Sequence, residues 1–560
     1  MFYWLFTLVV LVCILVVFYI YNYYDKRRTT EKNLERIKNK WGRPVNSRRN
    51  FKLIAAYLNG IDDPARVSMP IADDLDLNNV FNYIDRTNSK PGKQYLYKKL
   101  FTPETSFEDL FKFDRKIETL NIPRPDLERI ELDISKLNST DAYYLAELFL
   151  KEHEFLLVPL MSLYIRISGI AIIGLLISLF IVPDPISFVV LLVLILGNIA
   201  LHYGTRNKIS SYTRSLPQLI ILHSVARKLL KTVKFEQDDL VKQSLNNLSG
   251  LNRSLRLVNF ESKIAGNPEN LSYAIYKIFK VMFLLEPLMF TTSVKRINKY
   301  RADIEVLYKY VGEIDSLIAI LSVRVGLPHY SKPVFYTDNL RMDLTDMFHP
   351  LIYNCVPNSI HTRTDEGVLI TGSNMSGKTT FIRSIALNTL LAQTIYTTCA
   401  AEYKAPLLKI QTSIRTTDDL GENKSYFQAE ALSILDIINQ SGGDEPVKSL
   451  VIIDEIFHGT NTIERIAAAK SVLTYLTDNK NFVFVSTHDL ELAELLDNDY
   501  AVYSFEESVN DTRLVFDYKM KTGVLKNKNG IAILETIGYP ESVVEDAYIV
   551  SEELKRKYSM

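Results

Sequence analysis

The segment VLITGSNMSGKTTFIRSIA, Val368–Ala386, constrains the fold of this chain more than any other. An apolar run ends at Gly372, and the order Ser373, Asn374, Met375, Ser376, Gly377, Lys378, Thr379, Thr380 then leads into a helix-compatible stretch. The spacing is G-x-x-x-x-G-K-[ST], in which the two glycines let backbone N–H groups wrap a phosphate chain. The lysine reaches the β/γ-phosphates and the Thr379 hydroxyl faces Mg²⁺. The start of the helix adds its unpaired amides and its dipole. Strand, loop and helix in this register predict an α/β nucleotide-binding domain that takes ATP and Mg²⁺.

Two later segments extend the same site. KSLVIIDEIFHGTNT is an apolar strand ending in Asp454 and Glu455. A carboxylate at that strand end can hold the Mg²⁺ shell, and the next can orient and deprotonate an attacking water. Asp454 takes the first role and Glu455 the second. NFVFVSTHDLELAELL is another strand, ending at Thr487-His488, where an imidazole can sense or stabilise a γ-phosphate. A histidine alone is more often structural; the ordered set of phosphate loop, Asp-Glu and Thr-His is the ABC-type ATPase arrangement. Such sites are completed across a dimer, so a second subunit must bring a helix N-terminus to the γ-phosphate. QSGGDEP, Gln440–Pro446, leaves no room for that helix before the next strand, whereas NKSYFQAEALSILDIINQ fits, with Ser425 at the cap position as the contact in trans.

At 560 residues the chain is long enough for two to four domains of about 150 residues. Lys+Arg and Asp+Glu each total 65, so any nucleic-acid binding must come from local patches rather than net charge. Cys13, Cys355 and Cys399 stand far apart with no C-x-x-C pair, which argues against a disulfide framework or a zinc site.

Residues 1–24 carry no charged side chain and are long enough to cross a hydrocarbon core, which needs about 20 apolar residues. Without a basic start or a small-residue cleavage site they read as a retained anchor, and Lys26, Arg27 and Arg28 place the following chain in the cytoplasm. A second apolar block, 160–203, is broken by VPDPIS into a hairpin, with Arg206 and Lys208 behind its second arm. Its arms lack the polar face of a core helix, although a buried hairpin in a soluble core is the alternative. Three spans in an inner, cytoplasmic membrane, with the remaining mass cytoplasmic, is the expected topology. The basic stretch 25–52 is expected to set topology and attract anionic lipid, with direct nucleic-acid contact as the alternative. Further on, Ile304, Leu307, Tyr308, Val311, Ile314, Leu317, Ile318 and Leu321 recur at helical spacing.

The motif GSNMSGKTT resembles the G-P-N-M-S-G-K-S-T loop of the MutS mismatch-repair family. SYFQAE is similar to that family's S-T-F-M-x-E, DEIFHGTNT to its D-E-x-x-x-G-T-S-T, and DLDLNNVFNYIDRTNSKPGKQYLYKKL to the start of its core and lever region. The resemblance runs from Asp73 to Ala547, interrupted by the hairpin. It implies a homodimeric clamp that closes on DNA when ATP binds, and it carries over His349, Val356, Pro357 and Asn358 as residues bordering the adenine. Phe457-His458 stand where the family has Gly-Arg, and Glu464-Arg465 where it has Asp-Gly. The family's mismatch-reading and connector domains have no counterpart ahead of residue 73, so mismatch readout is not expected.

The expected architecture is multidomain, α and α/β. It has an anchor (1–24), a basic linker (25–72), a helical core (73–159), a membrane hairpin (160–203), a second helical core and lever part (204–330) and an ABC-type P-loop domain (331–560). A membrane-tethered ATPase closing on DNA is the leading expectation. A mechanochemical ATPase acting on membrane proteins or lipids is the alternative.

Overall fold

A computed structural model describes the chain apart from residues 1–15, 17–19, 21–22, 26, 153–158, 236–237, 255–277, 338–339, 374, 415–425, 443–446, 458–460, 511–512, 525–530, 532–533, 535–536 and 559–560. The expected anchor therefore falls largely outside the described residues. The chain divides into two compact units. One comprises Met1–Asp62, Ile84–Lys98 and Arg115–Gly326; the other comprises Asp63–Tyr83, Lys99–Asp114 and Leu327–Met560.

The first unit is helical. Its apolar hairpin is α1 (Pro159–Ile181) and α2 (Pro185–Thr232), separated where Pro185 opens the second helix and the Asp184 carboxylate caps it by accepting from the Ser187 amide at 2.9 Å. The stretches Leu160–Ile181 and Pro185–Thr205 are, by length and composition, long and apolar enough to cross a membrane, and most of their residues are not buried. Within the hairpin, buried Asn198 accepts from the Tyr164 hydroxyl at 2.9 Å and donates to the Met282 carbonyl at 2.7 Å, so its polar atoms are satisfied. The second arm does not stop at the end of the apolar run. One 48-residue helix continues through Pro217 into the buried Leu219, Leu222, Val225 and Leu229.

The long helix expected from the 304–321 periodicity is α3 (Arg301–Gly326), and all eight of its predicted apolar positions are buried. It also buries Asp315, whose carboxylate accepts from the amides of Asn88 (2.9 Å) and Ser89 (2.8 Å) and from the Ser89 hydroxyl (2.6 Å). Burial raises the Asp315 pKa, against the pull of Lys40 and these donors. The stretch 25–52 is not a uniform basic surface. Ile37 is buried, Lys40 donates to the Arg86 carbonyl and the Asn88 side chain, and Arg49 and Lys93 both pair with buried Asp85 at 2.9 Å. Burial pushes the Asp85 carboxyl up, but the two cations outweigh it and hold it at about 2. Lys40 and Arg49 therefore serve this unit's interior instead of a lipid surface.

The second unit holds two sheets. The four-stranded one, in order β1-β5-β2-β3, uses β1 (Val334–Phe335), β2 (Arg341–Met347), β3 (Asn358–Arg363) and β5 (Glu402–Ala405). The six-stranded one, in order β10-β9-β4-β8-β7-β6, uses β4 (Gly367–Gly372), β6 (Lys409–Ser413), β7 (Ser449–Asp454), β8 (Phe482–Ser486), β9 (Tyr500–Asn510) and β10 (Arg513–Thr522). Its strands run parallel except for the β9/β10 pair. Continuous apolar runs such as VIID and FVFV suit strands covered on both faces, and β4 and β8 are buried throughout. Helices α4 (Lys378–Ile395), α5 (Tyr426–Ser441), α6 (Thr462–Asp478) and α7 (Leu490–Leu495) complete the layers. This unit also recruits chain from before residue 331. Asp74, at the end of the helix Met69–Asp74, accepts from the Thr412 hydroxyl (2.7 Å) and the Ile414 amide (3.0 Å) at the end of β6. The Glu104 amide donates to the Gln393 carbonyl of α4 at 2.8 Å.

Candidate active site

The strand ends of the six-stranded sheet gather the expected motifs. Between β4 and α4 the chain turns through Gly372 (φ 149°), Met375 (φ 72°) and Gly377 (φ 110°). A Cβ on Gly372 would lie 2.7 Å from the Phe505 carbonyl oxygen of β9, so only glycine lets the loop pass this strand. Ser376 is buried and its hydroxyl ties the loop to the Ser373 carbonyl at 2.9 Å. The Lys378 ammonium donates to the carbonyls of Gly372 (2.8 Å) and Ser373 (2.9 Å), which places its charge against the loop.

Thr379, on the first turn of α4, donates its hydroxyl to Asp454 at 2.6 Å, and the other oxygen of Asp454 meets the Ser486 hydroxyl of β8. One carboxylate and one hydroxyl oxygen at adjoining points fit Mg²⁺, which usually takes few protein ligands and fills its shell with phosphate oxygens and waters. Glu455 follows in a left-handed conformation (φ 56°), its amide donating to the Ser486 carbonyl at 2.9 Å. Its carboxylate lies 3.3 Å from Nδ1 of His488, and this contact holds the imidazole pKa above its ordinary value although burial opposes it. The two candidate catalytic groups therefore touch, because β7 and β8 are parallel neighbours with Asp454 opposite Ser486.

A cavity of about 520 Å³ opens beside these groups, within the roughly 300–1,000 Å³ of small-molecule sites. Its polar lining includes Ser373, Lys378, Thr379, Thr380 and Glu455. Its apolar lining includes Ile352, Val356, Met375, Phe505 and Tyr518. Gly377 and Asn358 line it as well. Asn358 is a clamp: its amide nitrogen donates to the Tyr518 carbonyl at 2.9 Å and its oxygen accepts from the Met520 amide at 2.9 Å. Tyr518 sits in an irregular stretch of the β9/β10 ladder at φ 52°, and its ring lies within reach of Gly377. No sequence spacing singles it out, since its position follows from that shift in strand register.

Other expected residues fall around the cavity or away from it. The Pro357 carbonyl accepts from Lys519 at 2.7 Å. His349 does not line the cavity. It is buried, accepts from the Leu351 amide, and has its pKa pushed down to about 4 by burial and the neighbouring Arg383. Phe457 is buried with φ 60° and packs its ring near Phe427 of α5. Arg465 of α6 makes a two-point ion pair with Asp489 (3.1 and 2.7 Å). Asn374, Ser425 and His458 lie outside the described residues.

Residues 368–555 match the family described as MutS domain V. The chain is 28% identical over 319 residues to the DNA mismatch repair protein MutS of Staphylococcus carnosus (strain TM300), covering 55% of this chain and 36% of that protein. It is 29% identical over 314 residues to the DNA mismatch repair protein MutS of Clostridium botulinum (strain Okra / Type B1), covering 53% and 32%. The chain thus spans about a third of the length of these curated relatives.

Proposed function

We propose that this chain, which belongs to the MutS family, is a membrane-tethered ATP hydrolase whose nucleotide site works across a homodimer that closes on DNA. The observation that carries the hydrolase reading is the convergence of Lys378, Thr379 and Glu455 on one cavity from two separate strand ends, with Asp454 bonded to Thr379 beside it. Lys378 and the loop amides bind the phosphates. Thr379 and Asp454 would hold Mg²⁺, which when bound neutralises charge on the β- and γ-phosphates. Glu455 accepts the proton of the attacking water, with His488 steadying its carboxylate. Tyr518 and Val356 flank the base. The dimer reading rests on the family together with the cavity mouth, where Met375 is 83% and Tyr353 92% exposed, two large side chains for a second subunit to cover. Ser425 is the proposed contact in trans.

The test uses the detergent-solubilised full chain. Lys378→Ala abolishes ATP binding, while Glu455→Gln keeps ATP bound and slows turnover about 10²-fold or more. Unchanged turnover in Glu455→Gln removes the base assignment. DNA binding is measured beside binding to anionic liposomes over a salt series; an affinity for duplex DNA that falls steeply with salt supports phosphate contacts. Cysteines placed in the turn 182–187 react with an impermeant reagent from outside intact cells if the hairpin spans the membrane. Labelling of the turn only after lysis makes the hairpin a soluble core element.

One observation favours a second reading. Because α2 runs unbroken from the apolar arm into the helical unit, it could carry force between a membrane partner and the ATPase cycle. Salt-sensitive liposome binding without any DNA binding selects this motor over the DNA clamp.

A further inference from the structure

Two carboxylates flank the imidazole that touches the candidate base, one at each ring nitrogen. His488 presents Nδ1 to Glu455 at 3.3 Å, and its Nε2 stands 3.8 Å from Asp489. A shift of the ring to bond Asp489 through Nε2 would draw Nδ1 off Glu455, so the place of the Asp489 carboxylate bears on where the imidazole sits. Arg465 holds that carboxylate. Its Nε donates to one Asp489 oxygen at 3.1 Å and its Nη2 to the other at 2.7 Å, with both side chains largely buried at 13% and 12% exposure. A planar guanidinium facing a carboxylate in this way gives two parallel bonds of fixed direction, which an ammonium would not reproduce.

The backbone explains why the pair can act at a distance. Arg465 is in the first turn of α6, and its amide donates to the Asn461 carbonyl at 2.8 Å. The Asn461 side chain caps that helix. Asp489 precedes α7, and its amide donates to the Thr487 hydroxyl at 3.0 Å. One partner thus follows the strand that ends in Asp454-Glu455, and the other follows the strand that ends in Thr487-His488.

We propose that the Arg465–Asp489 pair is a positioning device that braces these two strand ends and withholds the Asp489 carboxylate from His488, directing the imidazole to Glu455. Arg465 and Asp489 touch neither nucleotide nor water in this scheme, so they are positioning residues. The proposal rests on the hydrolase reading above, and it assigns a use to Arg465, one of the positions where this chain departs from the MutS pattern.

The scheme makes a prediction that a merely structural ion pair would not. Arg465→Gln frees Asp489 to capture His488, and kcat for ATP falls about tenfold while KM stays within about twofold. Adding Asp489→Asn to Arg465→Gln removes the competing charge, so the double variant regains turnover to within about threefold of the parent. Arg465→Lys, which keeps the charge but loses the fork, is intermediate. Thermal melts of each variant separate these effects from loss of fold. In parallel, ¹⁵N NMR of the imidazoles, eight in the chain and assigned by His488→Gln, follows the tautomer and hydrogen bonding of His488 directly. Its signal should move in Arg465→Gln and return in the double variant. A double variant slower than Arg465→Gln, or a His488 signal unmoved by Arg465→Gln, overturns the proposal. If the parent itself does not turn over ATP, the hydrolase reading fails, while the NMR series still decides whether the pair places His488.

Discussion

Replacing Asp454 by asparagine separates a residue that holds the fold from one that holds a metal. Asp454 accepts two hydroxyl donors, from Thr379 and Ser486. Hydrogen bonds to a charged acceptor are worth about 1.5–3 kcal/mol and those to a neutral one about 0.5–1.5, so Asp454→Asn weakens each by about 1 kcal/mol. Relief of the desolvation of a half-buried carboxylate offsets part of this. The amide can also donate, and both hydroxyls can rotate to accept. The expected loss of stability without ligand is therefore about 1–2 kcal/mol, too little to unfold a domain whose strands are this deeply buried. The effect on ligand is larger in kind: the Thr379–Asp454 site loses its only formal charge for Mg²⁺. The assay is unfolding with ATP alone and with ATP plus Mg²⁺. For the parent, Mg-ATP at about 100 times its dissociation constant adds about 2.7 kcal/mol of protection. In Asp454→Asn, ATP still protects, but Mg²⁺ adds nothing beyond ATP alone. Equal Mg²⁺-dependent protection in parent and variant would refute the metal assignment.

Two further outcomes follow from the same geometry. Tyr518→Ala removes the aromatic wall of the cavity and should weaken ATP about tenfold, in line with a stacking contribution on the order of 1.5 kcal/mol, while inorganic tripolyphosphate binds as in the parent. His349, with its pKa lowered to about 4, makes stability depend on acid. As pH falls below the ordinary value of about 6.5 the unfolded chain takes up the proton first, so stability present above that value is lost progressively down to about 4, by up to about 3 kcal/mol. Thermal melts at about pH 7.5 and about pH 4.5 should show a smaller acid loss in His349→Asn than in the parent, and equal losses would refute this assignment.

What the residue pattern revealed and what it hid divide along a physical line. The phosphate loop, the Asp-Glu strand end and the Thr-His strand end were legible because each couples a local period to a fixed chemical order. The structure brings Lys378, Thr379, Asp454, Glu455 and His488 together as that order implies. The buried spine at 304–321 was legible from helical spacing alone. Long-range partnerships were not. Nothing local marks Asp74 as a support for β6, or Lys40 and Arg49 as interior cations, because a basic run reads as solvated until its partners are placed. Tyr518 was hidden for the same reason, since its place depends on the irregular register between Phe516 and Met520. His349 was carried over from the family resemblance as a neighbour of the adenine; it is buried, accepts from the Leu351 amide and is not among the residues that line the cavity.

Backbone strain gives an argument for the site that owes nothing to motifs. Among the described residues, ten non-glycine residues have positive φ, and four of them, Asn354, Met375, Glu455 and Tyr518, line the same cavity. Asparagine tolerates that region, whereas methionine, glutamate and tyrosine sit there at a cost of about 1–3 kcal/mol each. They come from three distant stretches of chain, so no single tight turn accounts for them. Each is held by something specific: Glu455 by the Ser486 carbonyl, Tyr518 by the Asn358 clamp, and Met375 by the loop that Ser376 ties to Ser373. Glycine at any of the three would relieve the strain but would also remove a side chain from the cavity wall. The chain instead keeps the side chain and bears the strain, as a wall shaped for a ligand requires.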